Sequence, residues 1–398
     1  MPCPDFHLSR RSAIRSLLGG SLIMPAVMSD LLAGGGAPSG VVPRRPLYDA
    51  KAKRVIFIYL TGGMSHVDSF DYKPDLERLG KQGGGKEKYL PPQWQFKARG
   101  QSGLQVSDLF PHIAGCADDL CVIRSMYGDH NNHAPATLGI HTGSFTVARP
   151  SIGSWVSFGL GTENQNLPSF VVLAPKMPYG GGLAWGADFL PGEHQGTRVV
   201  PGDEPVPNLK RSAPSGEIQQ MELDLLAQYN RIHLGEAGRG SDPQLRARIQ
   251  SYQTAFGMQM QMPEALDLSG ESDATHRLYG LERGSTKGFA WQCLVARRLA
   301  ERGVRFIELI DTGASGNWDA HSNIKSHEPL ARNVDKPVAG LLRDLKSRGM
   351  LDDTLVVFTT EFGRTPKADG TTGRGHHCHA FTSWLVRRRK GRLRPRDD

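Results

Sequence analysis

The chain has 398 residues, enough for one large α/β domain or two ordinary ones with a substantial buried core. Apolar residues make up 38% and charged residues 22%, a balance that excludes a disordered chain and an integral membrane protein. The net charge of +8 raises nucleic acid as a partner, but residues 387–398 (RRRKGRLRPRDD) hold seven basic and two acidic groups, which leaves the body nearly neutral and excludes a broad nucleic-acid footprint.

Residues 9–16 read SRRSAIRS, and LLGGSLIMPAVMSDLLAG follows. A charged start, an apolar stretch and small residues around Ala33–Ala37 predict an export signal over residues 1–37. The Arg10–Arg11 pair after Ser9 resembles the twin-arginine signal, which implies the twin-arginine export machinery as a partner and a periplasmic or extracellular location. Residues 38–52 read as a linker. No apolar run of about 20 residues occurs after residue 40, so no transmembrane segment is predicted beyond the signal.

Lys53–Leu60 (KRVIFIYL) is a β-branched apolar run before a Gly-Gly turn and reads as a buried parallel-type strand. Leu120–Ser125, Phe170–Leu173, Val304–Ile310 and Thr354–Thr359 read as further strands. Helical patterns lie between them at Glu217–Ile232, Asp242–Gln259, Lys287–Arg302 and Asn333–Arg348, the last two ending at Gly303 and Gly349 as natural C-caps. Strands separated by helices predict an α/β domain over residues 53–386, with a mostly parallel sheet flanked by helices on both faces. The helical stretch at about 215–280 reads as an insertion. The five cysteines (Cys3, Cys116, Cys121, Cys293, Cys378) have no CxxC pairing; Cys116 and Cys121 read as two buried thiols rather than a bridge.

Polar clusters follow the strands. Ser65, His66, Asp68 and Asp71 come after the first, just beyond the Gly-Gly turn. Three histidines and an acid come after the second, in a loop reading of DHNNHAPATLGIHTG (129–143). Asp319 and His321 come after the fourth, two apart, so in an extended segment they point to one side, and His327 lies further on. Glu361 and Arg364 come after the fifth, and His376, His377 and His379 sit in the next Gly-rich loop. In a doubly wound sheet such strand ends share one rim. Asp, Glu and His there are the ligand types for metal-assisted hydrolysis of a phosphate or sulfate ester. The predicted metal ligands are Asp68, Asp319, His321, Glu361, His376 and His377, for a divalent ion (Zn, Ca, Mg or Mn). Ser65 is a candidate nucleophile, and Arg364 is the candidate holder of the substrate anion.

The segments IFIYLTGGMSHVDSFDYKP (56–74), NNHAPATLGIHTGS (131–144), ARRLAERGVRFIEL (296–309), GNWDAHSN (316–323), LKSRGMLDDTLVVFTTEFGRTP (345–366) and GRGHH (373–377) resemble the DUF1501 family, exported sulfatase-like members of the alkaline phosphatase superfamily. The resemblance implies an alkaline-phosphatase/sulfatase-like fold. It places HAPAT (133–137) at the sulfatase C-x-P-S-R segment, which makes His133 a second candidate nucleophile and puts Thr137 in place of the Arg. Asp319 and His321 look like the superfamily's Asp/His pair, Glu361 matches its late Asp, Phe362 stands where a ligand would be, and His376 and His377 look like its late His. A sulfated or phosphorylated carbohydrate, or a small ester, is the implied substrate. The rival reading is a non-catalytic exported binding or surface protein that keeps the fold, which His133, Phe362 and Gly375 favour. After a final apolar strand at 380–386 the chain departs from the family and enters the basic tail, which reads as a truncated or frame-shifted end or as a solvated tail; the first of these predicts a weakened fold.

Overall fold

The computed structural model describes residues 51–82, 88–207, 209, 213–236 and 243–386. The predicted export signal, nearly all of the linker and the basic tail lie outside the described residues. Among the described residues eleven strands are formed: β1 (Arg54–Leu60), β2 (Phe96–Arg99), β3 (Leu104–Ser107), β4 (Leu120–Met126), β5 (Phe170–Leu173), β6 (Thr197–Val199), β7 (Phe306–Ile310), β8 (Thr354–Thr360), β9 (Gly363–Asp369), β10 (Gly373–His377) and β11 (Phe381–Val386). Seven of them make the central sheet, in the order β4-β11-β8-β1-β7-β5-β6. β8, β1, β7, β5 and β6 are mutually parallel, and β11 alone runs against its neighbours β8 and β4.

The sheet is covered on both faces, and β1 shows how. Ile56, Ile58 and Leu60 enter one core with Val171, Leu173, Ile307 and Leu309, while Phe57 and Tyr59 enter a second with Phe170, Val172, Phe306 and Ile310. Successive strand residues face opposite sides, so an unbroken apolar run fills two cores at once. Each fully buried Ile or Leu is worth roughly 1.5–3 kcal/mol.

The helices are α1 (Pro74–Gln82), α2 (Pro111–Ala114), α3 (His133–Thr142), α4 (Ile152–Leu160), α5 (Gly216–Glu236), α6 (Pro243–Leu266), α7 (Asp273–Tyr279), α8 (Phe289–Glu301) and α9 (His327–Ser347). α8 and α9 cover the first core through Leu294, Leu299, Val338, Leu341 and Leu345. Ile140 of α3 and Val156 of α4 pack on the second. Gly303 and Gly349 follow α8 and α9 with φ of +83° and +70°, as the C-cap reading expects. α9 starts earlier than its apolar pattern because Pro329 falls in its first turn, where a missing N–H costs nothing.

Four local readings are corrected. β4 does not lie beside a parallel neighbour: β11 separates it from β8, and as an edge strand it is only half-buried. The 129–143 stretch is a helix from His133 onward, with Asn132 as N-cap accepting from the Ala134 N–H at 3.2 Å. The Gly-rich 373–377 segment is a strand paired with β9. Cys116 and Cys121 are both free thiols, but only Cys116 is buried; Cys121 is exposed on the edge strand.

His194, just before β6, is buried with Nδ1 2.8 Å from Ser157 Oγ, and burial pushes its pKa down to about 4. The unfolded chain takes up this proton near pH 6.5, so stability present above that pH is lost as pH falls towards 4, by up to about 3 kcal/mol. Burial raises the neighbouring Glu193 carboxyl, which acts in the opposite sense. Thermal melts of wild type and His194→Gln between pH 7 and pH 4 isolate the histidine: the wild type is expected to lose its lead over the variant on acidification.

Candidate metal centre

The C-terminal ends of β1, β7 and β8 meet on one rim. β1 runs into Thr61-Gly62-Gly63, where Gly62 has a φ of +110° and a Cβ would stand 2.7 Å from Asn317 Oδ1 and the Trp318 nitrogen. Only glycine accepts both the conformation and the close approach. Gly62→Ala is therefore expected to destabilise the fold by at least roughly 1–3 kcal/mol from backbone strain alone, read as a lower urea midpoint.

The loop after β7 is pinned against that turn. The Trp318 N–H donates to the Thr61 carbonyl at 3.0 Å, and Trp318 Nε1 donates to Asp311 Oδ2 at 2.6 Å. This places Asp319. Its Oδ1 lies 3.1 Å from both His376 Nε2 and His321 Nε2, and its Oδ2 lies 3.3 Å from His133 Nε2. Arg364 Nη2 donates to Asp319 Oδ1 at 2.7 Å. Burial pushes the Asp319 carboxyl up, but its contacts with His133, His376 and Arg364 outweigh it and hold the group far below the usual carboxylate range.

Each of the three imidazoles is held from behind by its Nδ1. His133 Nδ1 is 2.8 Å from Glu361 Oε1, His376 Nδ1 is 2.6 Å from the Asn131 carbonyl, and His321 Nδ1 is 2.6 Å from Asp369 Oδ2. These oxygens can only accept, so Nδ1 carries the proton in every ring. In a neutral ring Nε2 is then a lone pair. The Nε2 atoms of His321 and His376 are 2.8 Å apart, and His133 Nε2 is buried with no hydrogen-bond partner among the described residues. Three lone pairs and a carboxylate at this range repel unless a cation or an extra proton sits among them. The donor atoms of His133, Asp319 and His376 all lie within 4.8 Å of one another. Ring nitrogens fixed from behind by carboxylates and carbonyls are the usual support of a metal-ligating histidine. The residues present therefore fit a divalent cation.

Glu361, predicted as a ligand, stands behind the centre. It is fully buried and accepts from the Gly62 N–H at 2.7 Å, from Tyr59 and Thr360 hydroxyls at 3.0 Å each, and from His133. Burial raises its carboxyl, and the His133 hydrogen bond more than offsets this, so it is held below its ordinary value. Burial lowers His133, but the neighbouring Asp319 and Glu361 carboxylates prevail and raise it. Arg364, predicted to hold a substrate anion, has its donors on the carbonyls of Gly62, Gly63, Trp318 and Arg374 as well as on Asp319. It braces Asp319 rather than facing a substrate.

Three predicted site residues lie elsewhere. Ser65 Oγ donates to Asp68 Oδ2 at 2.6 Å, and Asp68 pairs with Arg374 at 2.7 Å, all of them buried. His377 follows His376 on β10 and so points the other way, its ring 6.3 Å from His66 and 6.0 Å from His379. His327, also singled out, accepts from the Ser65 N–H at 3.1 Å and packs on Trp318. Sequence reasoning missed Asn131, Asp369 and Tyr179, whose ring stacks on His133 with centroids 4.3 Å apart. Asp369-Gly370 is the turn signal between β9 and β10 and marked a hairpin that carries His376 to the rim.

The family model described as "Protein of unknown function (DUF1501)" matches residues 52–386. The chain belongs to the DUF1501 family. No curated protein matches this DUF1501 chain. Among solved structures it is similar to the alkaline phosphatase of the Antarctic bacterium TAB5, at 12% identity over 85% of this chain and 91% of that one, with a TM-score of 0.34. It is also similar to the lipoteichoic acid synthase LtaP of Listeria monocytogenes, at 9% identity over 93% and 72% of the two chains and a TM-score of 0.37. A third is the PsFucS1 sulfatase of Pseudoalteromonas sp., at 13% identity over 92% and 65%, with a TM-score of 0.34. No helix among the described residues is long and apolar enough to cross a membrane.

Proposed function

We propose that this DUF1501 chain is an exported, metal-dependent hydrolase of sulfate or phosphate esters, carried on a carbohydrate or a small alcohol. The observation that supports this is the convergence of three imidazole Nε2 atoms on the Asp319 carboxylate, with every Nδ1 tied off behind. An imidazole-rich set suits zinc better than calcium, magnesium or manganese, which prefer oxygen. Held there, the ion supplies Lewis-acid polarisation of a non-bridging ester oxygen.

His133, Asp319 and His376 are the buried or half-buried donors that hold it. Glu361 and Asn131 keep two of those rings in place, and Arg364 keeps Asp319 in place. His321 is the most exposed of the group, with Asp369 behind it, so its Nε2 is the atom that takes a proton from an attacking water and returns it to the departing alkoxide. Water is the nucleophile in this reading because Ser65 is committed to Asp68 away from the centre.

The test is metal analysis of the purified protein followed by turnover of an aryl sulfate and an aryl phosphate. His321→Ala is expected to keep the ion and lose roughly 10²–10⁴-fold in kcat. A second reading is a non-catalytic exported binding or surface protein. The Phe362 ring, 4.9 Å from His133 and 4.5 Å from His376, and the spent donors of Arg364 favour it. No ion and no turnover after addition of Zn, Mn, Ca or Mg would establish that reading instead.

A further inference from the structure

A cavity of about 840 Å³ opens far from the metal centre and shares no residue with it. It is lined by Leu167–Ser169, which lead into β5, and by Gln195 and Thr197, which lead into β6. These are the N-terminal ends of the parallel strands, so the cavity lies on the rim opposite the metal centre. Helices α5 and α6 form its outer wall through Leu223, Leu226, Tyr252 and Phe256. Its volume is that of a small-molecule site, for which roughly 300–1,000 Å³ is usual.

The lining selects against most ligand classes. No lysine or arginine is among the described lining residues, and the one carboxylate, Glu193, has its pKa raised by burial and lies 3.5 Å from His194 Nε2, a ring that burial keeps neutral down to about pH 4. An anion would meet that carboxylate with nothing to offset it. A single acid beside His194 is too sparse a donor set for a cation. An acyl chain would cover the side-chain amides of Gln165, Gln195 and Gln250, which make no hydrogen bond to described residues, and would leave them desolvated and unpaired. Each amide offers both a donor and an acceptor, the pattern that complements hydroxyl groups. Tyr252 and Phe256, four apart on α6, present rings on one helix face, an apolar platform for the C–H face of a sugar.

We infer that this cavity binds an uncharged oligosaccharide segment, independently of any chemistry at the metal centre. Calorimetric titration of the full chain with maltohexaose, cellohexaose and neoagarohexaose tests it, with displacement of a fluorescent fatty acid as the parallel arm. At least one hexasaccharide is expected to bind. Tyr252→Ala and Gln250→Ala are each expected to weaken that binding at least tenfold with metal content unchanged. Both side chains are at least partly exposed, so neither variant threatens folding. Asp319→Asn is expected to leave sugar binding unaltered. Absence of binding by all three sugars, uptake of the fatty acid instead, indifference to both cavity variants, or loss of sugar binding in Asp319→Asn would each overturn the inference.

Discussion

Asp319→Asn is expected to strip the protein of its divalent ion. Among the described residues Asp319 is the one anionic group that touches all three converging imidazoles, at 3.1–3.3 Å. Without its charge, the neutral rings of His133 and His376 face the ion alone, beside the guanidinium of Arg364 at 2.7 Å. Removing a group that merely orients a ligand costs about 10–100-fold in metal affinity, so the loss of the central carboxylate is expected to cost at least about 100-fold. The asparagine oxygen still accepts from Arg364, whose other donors rest on four backbone carbonyls, so the fold is expected to survive. Equilibrium dialysis against zinc and manganese gives the affinity, and a thermal melt checks the fold. Glu361→Gln serves as a calibrated companion: it frees the His133 ring without touching the ion and is expected to fall within that 10–100-fold range.

Asp68→Asn is expected to do the reverse, weakening the fold while leaving metal binding intact. Asp68 and Arg374 form an ion pair at 2.7 Å in which neither side chain reaches solvent. Asp68 also accepts from Ser65 Oγ at 2.6 Å and from the Gln93 N–H at 2.9 Å. Removing one partner of such a pair strands a buried charge, at a cost of roughly 3–5 kcal/mol. Arg374 keeps its bonds to the Leu90, Pro91, Thr365 and Pro366 carbonyls, so the loss is expected near the lower end of that range. Urea unfolding measures it, and dialysis of the same sample measures the metal. A variant of full stability that no longer holds metal would return Asp68 to the ligand role that its place after the first strand suggests.

The contrast between these two acids marks how far the sequence could be read. The central sheet was legible because β1, β5, β7 and β8 are largely buried on both faces and so read as β-branched and apolar runs, broken in β7 by Glu308 and bounded in β8 by threonines. Short or half-exposed elements such as β2, β6 and β9 carry no such run and were not anticipated. The rim was legible too: Asp319, His321, Glu361 and His376 are gathered where strand ends meet. What the sequence could not supply was which acid faces the ion. Asp68 follows a Gly-Gly turn as a ligand would, yet a buried arginine more than 300 positions away in the chain claims it. Glu361 leaves its strand at the right place, but the Gly62 N–H and two hydroxyls draw it behind His133. His376 and His377 are equivalent in composition, and only their alternation along β10 separates them. Such choices depend on long-range partners, which one-dimensional spacing does not encode.

X-ray absorption at the metal edge of the zinc- or manganese-loaded protein tests the convergence most directly. The geometry predicts one ion per chain with scattering from at least two imidazole rings and one carboxylate oxygen, at about 2.0–2.2 Å for zinc. An ion that fails to stay bound, or one surrounded by oxygen alone with no imidazole in its shell, would contradict it.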